Sequence, residues 1–151
     1  MSTIVSKLPS VARVFLGLVF TVFGLNGFLQ FIPQPPMSGG PAAFFGALFA
    51  THYMLPLIMG TELFAGVLLL TGRFVPLALT VLAPVLVNIL AFHTFLEHGG
   101  FGLPLVVVGS ALYLAWVHRD AYAALLRAKP IAATARVEFE KPSPVANAAT
   151  R

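Results

Sequence analysis

Apolar residues run almost unbroken through four stretches of this chain, and polar residues gather in the short segments between them. The stretches are about 11–31, 55–71, 74–96 and 101–117. A helix needs about 20 apolar residues to cross the hydrocarbon core of a bilayer. Each stretch therefore predicts a membrane span, the second and fourth near the short limit. Between the first two, Phe31 to Pro41 reads FIPQPPMSGGP. Proline removes backbone donors and glycine is permissive, so no helix is expected through its middle. Ala42 to Tyr53, AAFFGALFATHY, is apolar and aromatic but too short to span. A short helix is predicted there, lying in the interface or packed over the bundle mouth. Gly72-Arg73 and Glu97–Gly100 read as tight turns. After Asp120 the chain is rich in Ala, Pro and charge, which predicts a frayed helix end and a disordered tail over 123–151. The expected fold is all-α: an integral membrane, antiparallel four-helix bundle over 1–122, with a short interfacial helix (about 42–53) between spans one and two.

Charge gives this pattern a direction. The basic residues are Lys7, Arg13, Arg73, Arg119, Arg127, Lys129, Arg136, Lys141 and Arg151. None lies between Arg13 and Arg73 or between Arg73 and Arg119, and each gap is wide enough for two crossings. All nine can therefore sit on one side of a membrane. By the positive-inside rule, the N-terminus, the Arg73 turn and the C-terminus are expected in the cytoplasm. The Pro-rich loop and the Glu97–Gly100 turn then face outward. Tyr113, Trp116 and Tyr122 fall near the inner interface, and Tyr53 and Phe101 near the outer one.

Composition narrows the class. Charged residues make up 9% of the chain, against roughly 25% in a soluble domain, too few to coat a globule in water. The basic residues flank apolar segments, where anionic headgroups attract them, and form no patch for nucleic acid. With no cysteine, the chain has no disulfide, thiol redox chemistry, iron–sulfur cluster or Cys-ligated zinc of its own. The first apolar run is too long for a signal-peptide core and reads as an uncleaved span.

Polar residues within spans are expensive, so each is a candidate site. They are Asn26 and Gln30 in span one, Glu62 in span two, and Asn88 and His93 in span three. Counting from span ends at about 1.5 Å per residue places Asn26, Glu62, Asn88 and His93 in the outer half, within roughly 5–12 Å of the interface. If the helix faces agree, a polar pocket opens toward the outer leaflet. Asn26 and Gln30 are four apart and share a face, as are Pro84 and Asn88. Pro84 predicts a kink near Thr80. His93 and Glu97 are also four apart and can pair at the outer surface. The amides have a plain alternative, hydrogen bonding between helices. Glu62 has two open readings, a structural pair or a ligand- or proton-carrying carboxylate. His52, His93, Glu97 and His98 lack metal-ligand spacing, so no metal is expected. Gly17, Thr21 and Gly24 form a small-residue stripe suited to helix contact.

ARVFLGLVFTVFGLNGF in span one and the FIPQPPM loop resemble the DoxX family of small four-span bacterial membrane proteins. So do HYMLPLIMGTELFAGVLLLTGRFVPLAL and APVLVNILAFHTFLEHGGF. The similarity spans about 11–122. It implies a four-helix inner-membrane protein. The wider family is named for a subunit of a thiosulfate:quinone or terminal-oxidase complex, and other members are linked to oxidative-stress complexes. No established catalytic residue carries over, although Asn26, Glu62, Asn88 and His93 match recurring polar positions.

Two functions are expected from this. One is an accessory subunit of a membrane redox or respiratory complex, binding a quinone or lipid in the outer-half pocket and taking electrons from an oxidoreductase partner. The other is a non-catalytic structural or assembly factor for partner membrane proteins. No catalytic constellation is present, so no activity of the chain on its own is expected. Partners are the bilayer and that oxidoreductase, with a homo-oligomer left open.

Overall fold

The computed structural model describes residues 2–33, 36–97 and 99–123. Among the described residues there are helices and no strands: α1 (Ser2–Leu29), α2 (Gly39–Ala50), α3 (Met54–Thr71), α4 (Val75–Phe95), α5 (Gly102–Val117) and α6 (Arg119–Tyr122). The tail from 124 onward, and His98, lie outside the described residues. Three helical segments are long and apolar enough to cross a membrane: Lys7–Leu29, Met54–Thr71 and Val75–Phe95. The fourth expected span is α5. Its 16 residues reach roughly 24 Å, short of a hydrocarbon core of about 30 Å. After a single non-helical residue, His118, the chain turns back into helix as α6.

Local chemistry sets the helix ends. Asn26 ends α1 twice over: its carbonyl accepts the Gln30 N–H at 2.8 Å and its side-chain oxygen accepts the Ile32 N–H at 2.6 Å. Gln30 takes the left-handed conformation, φ 50°, that such a stop requires. Asn26 and Gln30, expected to share a helix face, thus mark the end of the helix. At the other end α1 begins nine residues before the first apolar stretch and carries Pro9 without breaking. Gly72, at φ 70°, closes α3. Its N–H bonds the Leu69 carbonyl and the Arg73 N–H bonds that of Leu68, the paired pattern glycine favours after a helix. Pro76 then sits in the first turn of α4, where its missing donor costs nothing. Thr51 joins α2 to α3: its hydroxyl donates to Leu48 O at 2.6 Å and accepts the Met54 N–H at 3.0 Å.

α1 packs on α3 and α5, and α4 packs on α3 and α5, with α1 against α3 the most extensive pairing. Leu16, Leu69, Leu82 and Leu114, one from each of these helices, are fully buried and centre the shared core. Glycine brings α1 and α3 together. A Cβ on Gly24 would lie 2.6 Å from Leu63 N and 2.8 Å from Met59 O, and one on Gly66 would lie 2.6 Å from Thr21 N. Gly17 faces Leu70, whose amide nitrogen is 2.9 Å from the same imagined Cβ, and Gly27 faces Met59. Seven residues forward from Gly17 to Gly24 are seven back from Leu70 to Leu63, so the two helices run antiparallel in fixed register.

The ends differ in chemistry. At one, Arg13 Nη1 donates to Leu69 O at 2.5 Å and Leu70 O at 3.1 Å, satisfying the last carbonyls of α3. The described basic residues, Lys7, Arg13, Arg73 and Arg119, all belong to this end. Here too the Tyr122 hydroxyl donates to Pro76 O at 3.1 Å, tying α6 to α4. Burial pushes the Tyr122 phenol above its usual range, partly offset by the Thr80 hydroxyl. Replacing Tyr122 with Phe is expected to cost about 1 kcal/mol, the net worth of one such hydrogen bond. Thermal unfolding in detergent checks it: an unchanged midpoint means that the tie contributes nothing. At the opposite end α2 lies against α4, with the Phe44, Phe45 and Phe92 rings 5.4–5.6 Å apart.

Candidate functional site

The buried positions of α3, Ala65, Gly66 and Leu69, follow Glu62 by three, four and seven residues. Glu62 therefore continues the inward stripe by one turn. The antiparallel register sets it level with Leu25, one residue from Asn26. Asn26 is 5% exposed, the one polar residue counted as buried among the described residues. Its oxygen is occupied by Ile32, which leaves the amide N–H groups for other partners. Glu62 is half-buried and, among the described residues, makes no hydrogen bond or ion pair.

His93 also continues an inward stripe, seven residues beyond buried Leu86 on α4. Its Nδ1 lies 2.8 Å from Ile89 O, which places the proton on Nδ1 in the neutral ring, and Nε2 is 3.7 Å from Glu97 Oε2. The ring packs edge-on against Phe92 at 5.3 Å and near Phe101 at 6.3 Å. His93 is nonetheless not level with Glu62. Measured from the α3–α4 turn, Glu62 is nine residues before Thr71 and His93 is eighteen after Val75. His93 thus sits roughly 13 Å further along the helix axis, beside α2. Asn88 falls between them in depth but faces outward: it is exposed, two residues (about 200°) around α4 from Leu86. Gln30 is exposed as well.

The structure thus turns Asn26, Glu62 and His93 inward, sets the first two at one level, and turns Asn88 and Gln30 outward. Among the described residues no three His, Asp or Glu side chains come together. Sequence reasoning passed over a different feature. A cavity of about 440 Å³ opens at the basic end, where α1, the α3–α4 turn and the end of α5 meet. Ser10, Arg13 and His118 line it. The signal was the placement of Arg13 and His118 at the ends of apolar runs on the same side.

The DoxX family model matches residues 8–96, more than half of the chain. The chain belongs to the DoxX family. The matched segment covers α1 from Leu8 through all of α4, and so takes in Asn26, Gln30, Glu62, Asn88 and His93. It stops short of α5 and α6. Family membership and the three long apolar helices together make this DoxX-family chain a membrane protein. Comparison with curated proteins and with solved structures gives no match.

Proposed function

We propose that this DoxX-family protein is an accessory subunit of a membrane redox or respiratory complex, with a quinone- or lipid-binding site centred on Glu62. The supporting observation is Glu62 itself: a half-buried carboxylate on the inward face of a membrane-crossing helix, level with a buried amide and, among the described residues, without a protein partner. Carboxylates at such depth are costly and are kept for pairing, ligand binding or proton transfer. In this reading the protein is a four-helix bundle in the inner membrane, both termini cytoplasmic, with α5 as the fourth span. The Asn26 amide donates to a quinone carbonyl and Glu62 exchanges a proton with it. Electrons come from an oxidoreductase partner, and the chain catalyses nothing alone. His93, near the outer rim with Nε2 3.7 Å from Glu97 Oε2, belongs to the entrance.

The test is quinone extracted from protein purified in mild detergent. Wild type is expected to carry quinone, and Glu62→Gln at least tenfold less, about the worth of one buried hydrogen bond to a charged group. Equal quinone in both, or none in wild type, ends this reading.

A second reading, a non-catalytic assembly factor, is favoured by Asn88. An exposed amide inside an apolar helix finds no partner in hydrocarbon, and an adjoining membrane protein, or a second copy of this chain, supplies one. Asn88→Leu is then expected to abolish co-purification of that partner while leaving quinone content alone.

A further inference from the structure

We infer that the cavity at the basic end binds an anionic phosphate group, either the headgroup of an acidic phospholipid or a soluble phosphate. It is separate from the Glu62 site and independent of the quinone reading.

The cavity joins two chemistries. Val75 and Val117 give it apolar wall, and Ser10 and Arg13 give it donors. Arg13 is held in place by its Nη1 bonds to the Leu69 and Leu70 carbonyls. Gly72 makes room for it: a Cβ there would stand 2.7 Å from Nη1. Among the described residues Nε and Nη2 of Arg13 have no protein acceptor, so the guanidinium keeps a second edge for a bidentate oxyanion. His118 Nδ1 lies 2.9 Å from Leu114 O, which places the proton of the neutral ring on Nδ1, so Nε2 is not counted as a donor. Thr71 also lines the wall, but its hydroxyl proton is committed to Leu68 O at 3.0 Å, so it is not counted as a donor.

Charge at this end favours an anion. Lys7, Arg73 and Arg119 stand one or two residues along the chain from the lining residues Pro9, Gly72 and His118, and the Arg119 side chain lies over the Trp116 ring at 5.4 Å. The described acidic residues are Glu62, Glu97 and Asp120. Of these only exposed Asp120, two residues from His118, belongs to this end, and it does not line the cavity. A fixed guanidinium beside an apolar wall at the rim of a membrane-crossing helix matches a phosphate with acyl chains running alongside.

The test is native mass spectrometry of delipidated full-length protein titrated with short-chain phosphatidylglycerol, phosphatidylcholine and inorganic phosphate. One phosphatidylglycerol is expected to bind saturably, and phosphatidylcholine about tenfold more weakly, since its ammonium meets the basic residues. If inorganic phosphate fails to displace the lipid, the ligand is a headgroup. If inorganic phosphate binds alone and displaces it, the ligand is a soluble anion, and the phosphate chemistry stands in both cases. Arg13→Gln is expected to weaken binding at least tenfold. Because it also removes the α3 cap, Ser10→Ala serves as the second variant, with a loss of about threefold to tenfold. Arg73→Gln, on the exposed turn, removes one charge from the same end without touching the cavity. Phosphatidylglycerol and phosphatidylcholine binding alike, or Arg73→Gln losing as much as Ser10→Ala, overturns the inference.

Discussion

Gly24→Ala is expected to destabilise the protein by about 1–3 kcal/mol, the cost of overpacking a close contact. Its new methyl would stand 2.6 Å from Leu63 N and 2.8 Å from Met59 O. Both are backbone atoms, so no rotamer change relieves the clash and α1 must move off α3. Gly66→Ala is expected to behave alike, its methyl meeting the Thr21 backbone nitrogen at 2.6 Å. The pair is also expected to be non-additive, because once one methyl has parted the helices the other finds room. Gly46→Ala and Gly109→Ala provide the contrast. Nothing lies within 4 Å of either position, so alanine there is expected to gain up to about 1 kcal/mol of helix propensity. Unfolding in detergent by heat or denaturant ranks the four. Equal midpoints for Gly24→Ala and Gly46→Ala would mean that the α1–α3 contact is not as close as described. The same geometry bears on the assembly reading: bulky changes at Gly17 or Gly24 disturb this chain's own packing before they touch any partner.

Arg13→Met is the second large effect. It keeps the length of the side chain and removes the donor to two carbonyls, Leu69 at 2.5 Å and Leu70 at 3.1 Å. Hydrogen bonds from charged groups contribute about 1.5–3 kcal/mol. The contact is only part-buried, so a loss near the lower figure is expected. The end of α3 also loses a cation suited to its helix dipole. Arg73→Met removes an exposed charge one residue past Gly72 and is expected to stay within about 0.5 kcal/mol of wild type. Hydrogen exchange of the last turn of α3 separates the two. Faster exchange there in Arg13→Met alone supports the cap, and equal exchange in both variants contradicts it.

How much of this was legible in the sequence follows from which signals are periodic. The apolar runs set α3, α4 and α5, whose ends lie within one residue of 55–71, 74–96 and 101–117. Grouping of the described basic residues at one end was legible too, because charge has no place inside hydrocarbon. The start of α1 was not, since a helix can continue beyond the apolar run and tolerate Pro9. The start of α2 at Gly39 lay hidden in a segment of Gly and Pro, which helices accept in their first turn. Site geometry was legible only in part. Depth counted from the ends of apolar runs set Asn26 and Glu62 level, but placed His93 too close to them because α4 outlasts α3. Facing depends on the stripe each helix buries, and this turns Asn88 and Gln30 outward. Nor could spacing reveal that the oxygen of Asn26 is spent on Ile32.

The central claim is that Glu62, without a protein partner among the described residues, is an inward-facing carboxylate at the proposed ligand site within the membrane. A hydrophobic carbodiimide, which reacts with carboxyl groups reached from the membrane phase, tests it most directly when the labelled residue is mapped by mass spectrometry with and without a short-chain quinone. The account predicts label on Glu62 that saturating quinone suppresses at least fivefold, a modest demand for a site whose occupancy follows simple mass action. Glu97 and Asp120, exposed at the two ends, are predicted to be unaffected by quinone. Label on Glu62 that quinone leaves unchanged, or no label there at all, contradicts the account.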